Sequence, residues 1–324
     1  MTPATAAEWA RRWLLPAMWV ALTLALAIAL PRLPWERTTQ ELARVATAWI
    51  AAALALNFLI LPLWALEWTV LVPRIRVAFR RMFEIVALTA AVLNSVPMLA
   101  GEVSAVALLM TRAGLSRGAA LSVLAMDQLL VAFAKAAVLA LAASLSPLPV
   151  WIRGGLLSLV AIFAIALAAL MLLAHRWERI AARLQPAQRP EGLLSSAVRW
   201  GEHLETLRDG RRTATVALLA AAKKFAEILA VVAVQLAFGL EPSFAAAVVV
   251  VAALALSTLV PIAPANLGVY EATVFGAYRF LGMPAETALG LALVQHLCFL
   301  LPSLAPGYVM LTLRQLVPRL RRDA

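Results

Sequence analysis

Lys135, Lys223 and Lys224 are the only lysines in a chain of 324 residues, and each falls inside a long apolar run. An ammonium at mid-bilayer depth costs at least about 2.5 to 3.5 kcal/mol on insertion scales, so it turns inward to find an anion or to line a polar path. Few acids lie near these lysines in sequence. Glu227 stands four residues after Lys223, a spacing that puts two side chains on one helix face. Asp127 stands eight before Lys135, again roughly one face. These spacings predict the pairs Lys223 with Glu227 and Asp127 with Lys135, and they leave Lys224 as the cation without a sequence neighbour. Glu67, in "WALEW", sits near the end of an apolar run and is expected to reach the interface.

A second set of polar residues interrupts two apolar runs. "NSVPMLAGE" contains Asn94, Pro97, Gly101 and Glu102, and "PIAPANLGVYEA" contains Pro264, Asn266, Gly268, Tyr270 and Glu271. A helix broken inside a membrane leaves backbone N–H and C=O groups unpaired, which is tolerable only beside protein or a water-filled cavity. Each break starts a half-helix whose N-terminus carries partial positive charge and suits an anionic group. Asn266 is expected to cap the second half-helix, Gly268 to permit close approach, and Glu271 to stand one turn on. Asn94, Pro97, Gly101 and Glu102 take the equivalent places in the first. Two proline kinks with solvated turns are the plainer reading of the same residues. His296, with Gln295 beside it, aligns with Gln128 and Asp127, and a single membrane histidine is more often a packed hydrogen-bonding residue than a proton carrier. Tyr270 and Tyr278 read as packing residues.

The elements that carry these residues are membrane helices. The chain is 64% hydrophobic with a mean hydropathy of +0.89, beyond the range of soluble domains. Apolar segments lie at about 14–31, 45–71, 82–111, 119–145, 151–174, 213–240, 243–280 and 286–313. About 20 apolar residues cross a hydrocarbon core of roughly 30 Å as helix, and no segment shows the alternation of a barrel strand. The arms of the two broken segments are too short to cross, so both are expected to be re-entrant hairpins. Arginine clusters at the N-terminus, at 73–81, between 176 and 212 and in the tail then fall on one side, as the positive-inside rule requires. They face anionic headgroups.

The expected fold is therefore an all-α polytopic membrane protein of about six transmembrane helices and two opposed re-entrant helical hairpins. The hairpins look like copies. "PMLAGE" followed by "AGLSRGAALSVLAMDQ" parallels "PANLGVYE" followed by "LGMPAETALGLALVQH", with Gly114 and Gly282 168 residues apart. One enters from inside and the other from outside, the inverted-repeat pattern of secondary transporters. The chain reads as one membrane domain over 1–324, with repeat 1 at about 14–145, repeat 2 at about 151–313 and a cytoplasmic amphipathic connector at about 175–212. Leu193, Ala197, Trp200, Leu204 and Leu207 line one face of that connector.

Other function classes find little support. The net charge of +11 is spent on loops beside membrane, which argues against nucleic acid. One cysteine, Cys298, excludes an intrachain disulfide and reads as packing. No metal-ligand spacing, phosphate-cradling loop or nucleophile motif occurs, so neither metal nor cofactor is expected, and the chain reads as no enzyme. The apolar stretch of the first segment exceeds a signal-peptide core, which predicts a retained helix.

The two breaks together resemble one family, the flippase-like transmembrane region of lysylphosphatidylglycerol synthases and its stand-alone bacterial and archaeal relatives. "PIAPANLGVYEA" with "FLGMPAETALGLALVQHLCFLLPSLAPGYVML" is similar to the family's Pro-x-x-Pro-Gly-x-x-Gly-x-x-Glu-Ala segment and its following helix. "NSVPMLAGE" with "AGLSRGAALSVLAMDQLL" is similar to its Asn, Leu-Pro-Gly-Arg-x-Gly-Glu and Gly-x-Ser stretch. The likeness runs over about 45–313. It departs where the family's Pro-Gly-Arg is Pro97-Met98-Leu99, where a Glu-Arg pair is Asp127-Gln128, and where an Arg before the second Glu is Tyr270. No counterpart of the synthases' soluble aminoacyl-transfer domain is present in the sequence, so aminoacyl transfer is not carried over.

The resemblance and the repeat together imply a lipid carrier of the bacterial inner membrane with both termini cytoplasmic. Its expected substrate is an amphipathic lipid with an anionic or isoprenoid-linked headgroup, moved passively or with an ion. Asp127, Glu102, Glu271 and His296 are its candidate proton carriers. Two rivals are a non-transporting module that partners an envelope lipid enzyme, with homo-oligomers as a further partner expectation, and an intramembrane lipid-modifying enzyme.

Overall fold

The computed structural model describes residues 33–72, 77–96, 100–145, 153–162, 209–257 and 263–320, with a few single positions beside them. The expected first span, most of the connector and Pro97 lie outside the described residues. All described secondary structure is helical: α1 Trp35–Ala43, α2 Thr47–Leu71, α3 Phe79–Ser95, α4 Ala100–Ala113, α5 Arg117–Leu145, α6 Arg153–Ile162, α7 Gly210–Ala237, α8 Phe244–Ser257, a 3-10 turn Pro264–Asn266, α9 Val269–Phe280 and α10 Ala285–Leu320.

Length and composition sort these helices. Three are long and apolar enough to cross a membrane, α2, α5 and the Ala285–Arg314 part of α10. With 28 residues, α7 has the length as well, about 42 Å at 1.5 Å per residue, but carries Lys223, Lys224 and Glu227 at its middle. Its start is fixed by Asp209, whose side chain accepts from the Arg211 and Arg212 N–H groups at 3.0 and 3.4 Å, an N-cap that satisfies otherwise orphaned donors. The helices flanking the breaks are short. α3, α4, α8 and α9 have 17, 14, 14 and 12 residues, or about 25, 21, 21 and 18 Å, all short of the roughly 30 Å core.

The packing scheme maps onto itself when α2 is exchanged with α7, α3 with α8, α4 with α9 and α5 with α10. α3 packs on α4 as α8 does on α9, α4 on α5 as α9 on α10, α2 on α3 as α7 on α8, and α3 on α10 as α8 on α5. The largest interface joins the exchanged pair α2 and α7. They run antiparallel: the Ala46 N–H at the start of α2 donates to the Ala237 carbonyl at the end of α7 at 2.8 Å. The turns match too, since Gly114 after α4 and Gly282 after α9 both take left-handed backbone, φ 70° and 87°, which glycine adopts without steric cost.

Two close approaches set the helix spacing. A methyl group on Gly101 would lie 2.8 Å from the Leu93 Cα, so α4 folds tightly back on α3. One on Gly307 would lie 2.5 Å from the Ala87 carbonyl oxygen and 2.6 Å from the Ala91 Cβ, so α10 is seated directly on α3. The corresponding seam between α5 and α8 is looser. An apolar groove of about 200 Å³ runs there, lined by Leu139, Ala142, Leu156, Val249, Leu256 and Phe280 among others. Leu59, Leu66, Leu218, Leu297 and Leu301 are exposed on the outside, where acyl chains rather than water meet a membrane helix.

Candidate functional site

The first polar centre is built from α2, α5 and α7. Trp64, Glu67, Trp68 and Leu71 recur on α2 at steps of three and four, so they share the face turned to α5 and α7. Glu67 is 0% exposed, and its Oε2 lies 2.8 Å from the Lys223 Nζ. Asp127 is nearby, its Oδ1 3.9 Å from the same ammonium. That oxygen also accepts from the indole N–H groups of Trp64 at 2.7 Å and Trp68 at 2.9 Å. The Trp64 ring lies 5.7 Å beneath the Lys223 Nζ, within cation–π range. Neither Glu67 oxygen has a well-directed hydrogen bond.

Three sequence expectations fail here. Glu67 does not reach the interface, because α2 continues to Leu71 and turns the carboxyl inward. Lys223 pairs with Glu67 and Asp127 rather than Glu227. Lys224, expected to lack a partner, is the one held by Glu227, at 2.5 Å. Adjacent residues on a helix point about 100° apart, so the two lysines serve different neighbours. Lys135 lies near the second of these groups, where the charges of Lys224 and Glu227 act on it. This group sits nearer the surface, with the Lys224 and Glu227 side chains 21% and 24% exposed.

The second polar centre forms around the break before α9. Ala265 and Asn266 both hold positive φ, 53° and 52°, a conformation that costs a non-glycine residue on the order of 1 kcal/mol. The strain aims the Ala265 carbonyl at the His296 Nε2, 3.0 Å away. The other ring nitrogen, Nδ1, lies 2.8 Å from the Glu271 Oε1. Both partners are acceptors, so the ring satisfies them together only with hydrogen on both nitrogens. Tyr270 stacks on the imidazole at 4.2 Å and 10°, and the Gln295 amide donates to the Tyr270 hydroxyl at 3.2 Å. Gln235 of α7 donates likewise to Tyr278, at 3.3 Å.

The cap of α9 differs from expectation. Gly268 rather than Asn266 takes the N-cap position, and its N–H donates to the Glu271 Oε2 at 2.8 Å. The positive end of this half-helix is thus met by the chain's own carboxylate. At the first break, Asn94 is buried and turns its amide back to the Ala90 carbonyl at 2.9 Å. Gly101 serves close packing, and the Glu102 Oε2 is buried without a hydrogen-bond partner. Gln128 is exposed and joins neither centre. The second break lies against the first hairpin, since α3 packs against the 3-10 turn Pro264–Asn266. Trp64 and Trp68 were missed by sequence reasoning. Their shared face with Glu67 was the available signal.

Comparison with known families settles membership. The lysylphosphatidylglycerol synthase transmembrane region matches residues 14–307. The chain belongs to this family. Nothing among curated proteins matches it. Membership in the lysylphosphatidylglycerol synthase transmembrane family makes it a multi-pass membrane protein with a lipid-related role. Within that family's span fall both breaks and both polar centres.

Proposed function

We propose that the chain is a lipid carrier that moves an amphipathic lipid with an anionic headgroup between the leaflets of a bacterial inner membrane, termini on the cytoplasmic side. The reading takes the whole chain as one membrane domain of two inverted repeats, with α3–α4 and α8–α9 as hairpins that enter from opposite faces. The observation that carries it is the meeting of α3 with the Pro264–Asn266 turn, inside a packing scheme whose exchangeable helices α2 and α7 run antiparallel. Interrupted backbone surrounded by protein at that depth is the construction used to hold a substrate between repeats. Lys224 with Glu227, and Lys135 near that pair, bring basic side chains beside the second centre, which suit a phosphate-bearing headgroup. The expected apolar seat for its tail is the groove between α5 and α8.

Reconstituted liposomes test this directly. Labelled anionic lipid crosses between leaflets with the wild-type chain, and Lys224→Met and Glu271→Gln slow it by about tenfold or more, a loss of about 1.4 kcal/mol or more. Equal rates with and without protein would reject the carrier, and a chemically altered lipid would point to an enzyme instead.

A further inference from the structure

The charges of the first polar centre do not balance. Two carboxyl groups, Glu67 and Asp127, share one ammonium, Lys223, at 2.8 and 3.9 Å. Lys223 is the cation paired with both of them. Lys224 of α7 is held by Glu227, and Lys135 of α5 acts on that same pair. Of the other helices packed on α2, α3 brings Arg80 and Arg81, both exposed at its start, and Glu84, which pairs with Arg314 of α10. His296 of α10 is committed to Glu271. Glu67 is flanked by Lys223 and Asp127. The two acids are also built differently. Asp127 receives two indole N–H groups, the setting of a stable anion. Glu67 is wholly buried, with its Oε2 2.8 Å from the Lys223 Nζ, but receives no directed hydrogen bond on either oxygen, and burial without such donors disfavours the charged form of a carboxyl group.

We propose that Glu67 is a proton-binding site, holding a proton taken from water while Asp127 and Lys223 remain as the balanced ion pair. The proton lets two neighbouring carboxyl groups become donor and acceptor instead of two repelling anions. A metal ion fits poorly, because hard cations gather six or more oxygens, and here an ammonium stands at two carboxyl groups. The other half of the molecule carries the neutral version. The 168-residue offset of Gly114 and Gly282 sets Gln235 opposite Glu67 and Gln295 opposite Asp127, and an amide is the uncharged counterpart of a protonated carboxyl group. Resting on the carrier reading, the proton's role is to leave when the centre opens to water, linking lipid movement to a proton gradient.

Infrared difference spectroscopy of the full chain in lipid nanodiscs at neutral pH tests the site without reference to transport. The carbonyl stretch of a buried protonated carboxyl group is expected in the wild type and absent from Glu67→Gln. It is also expected to vanish in Asp127→Asn, where Glu67 and Lys223 balance alone; this second variant decides the matter if the first does not fold. Identical spectra in wild type and Glu67→Gln, or a band unchanged in Asp127→Asn, would overturn the proposal. So would tryptophan emission that follows sodium concentration and ignores pH. In liposomes under an imposed pH gradient, the wild type accumulates labelled lipid in one leaflet, whereas Glu67→Gln only equalises the two. A Glu67-dependent band in a protein that moves no lipid would keep the proton site and remove the carrier.

Discussion

The two polar centres are built differently: the one on α2, α5 and α7 is sealed and holds two carboxyl groups against a lysine, while the one at the break before α9 is partly open and holds one carboxylate against a histidine. Asp127 corresponds to Gln295 and Gln128 to His296. In the first centre the polar work is done by two carboxyl groups, Lys223 from α7 and indoles, with Glu67 fully buried. In the second it is done by amides, tyrosines and a histidine that holds Glu271, whose side chain is 22% exposed. The comparison teaches that a common backbone plan fixes where polar groups must meet, not which charges they bear. The second centre also locks its break, through His296 on Ala265, whereas at the first break Asn94 bonds back within its own helix and Ser95 reaches the Tyr308 hydroxyl of α10.

Removing Lys223 should break the comparison most severely. Lys223→Met leaves two buried carboxyl groups without a cation and is expected to cost about 3 to 5 kcal/mol, read as a lowered thermal midpoint in detergent. The same measurement on His296→Ala should give about 2 to 3 kcal/mol, from two hydrogen bonds and a stacked ring. A loss below that of an ordinary surface change would show that the second centre is not locked. Gln128→Ala removes the counterpart of His296 from an exposed position and should stay within about 0.5 kcal/mol. Were it to equal His296→Ala, the correspondence of the two halves would gain a function that the geometry of Gln128 does not provide.

Much of the frame was legible in the sequence because hydropathy and punctuation are local properties. The long apolar runs became α2, α5 and α10, and the prolines and glycines of the breaks marked the ends of α3, α8 and the starts of α4 and α9. Gly114 and Gly282 announced matched turns. Partnerships were less legible, since they depend on helix rotation and on contacts between distant segments. The four-residue spacing of Lys223 and Glu227 permits a pair, but α2 supplies a nearer carboxylate across 156 residues of sequence. Nor could the spacing tell that Lys224 reaches Glu227 at three. Asn266 was a reasonable cap by residue type, yet its left-handed backbone placed Gly268 at the helix start instead.

Gly307 seated on Ala87 and Ala91 has a consequence for the opposite flank. Counting back 168 residues from it reaches Leu139, a side chain of four heavy atoms where its twin has none, and Leu139 lines the groove between α5 and α8. One flank is therefore zipped by bare backbone and the other is wedged ajar by a branched side chain. Hydrocarbon that abuts this molecule finds a notch between α5 and α8 and a closed seam between α3 and α10, so these two matched seams present the bilayer with unlike profiles.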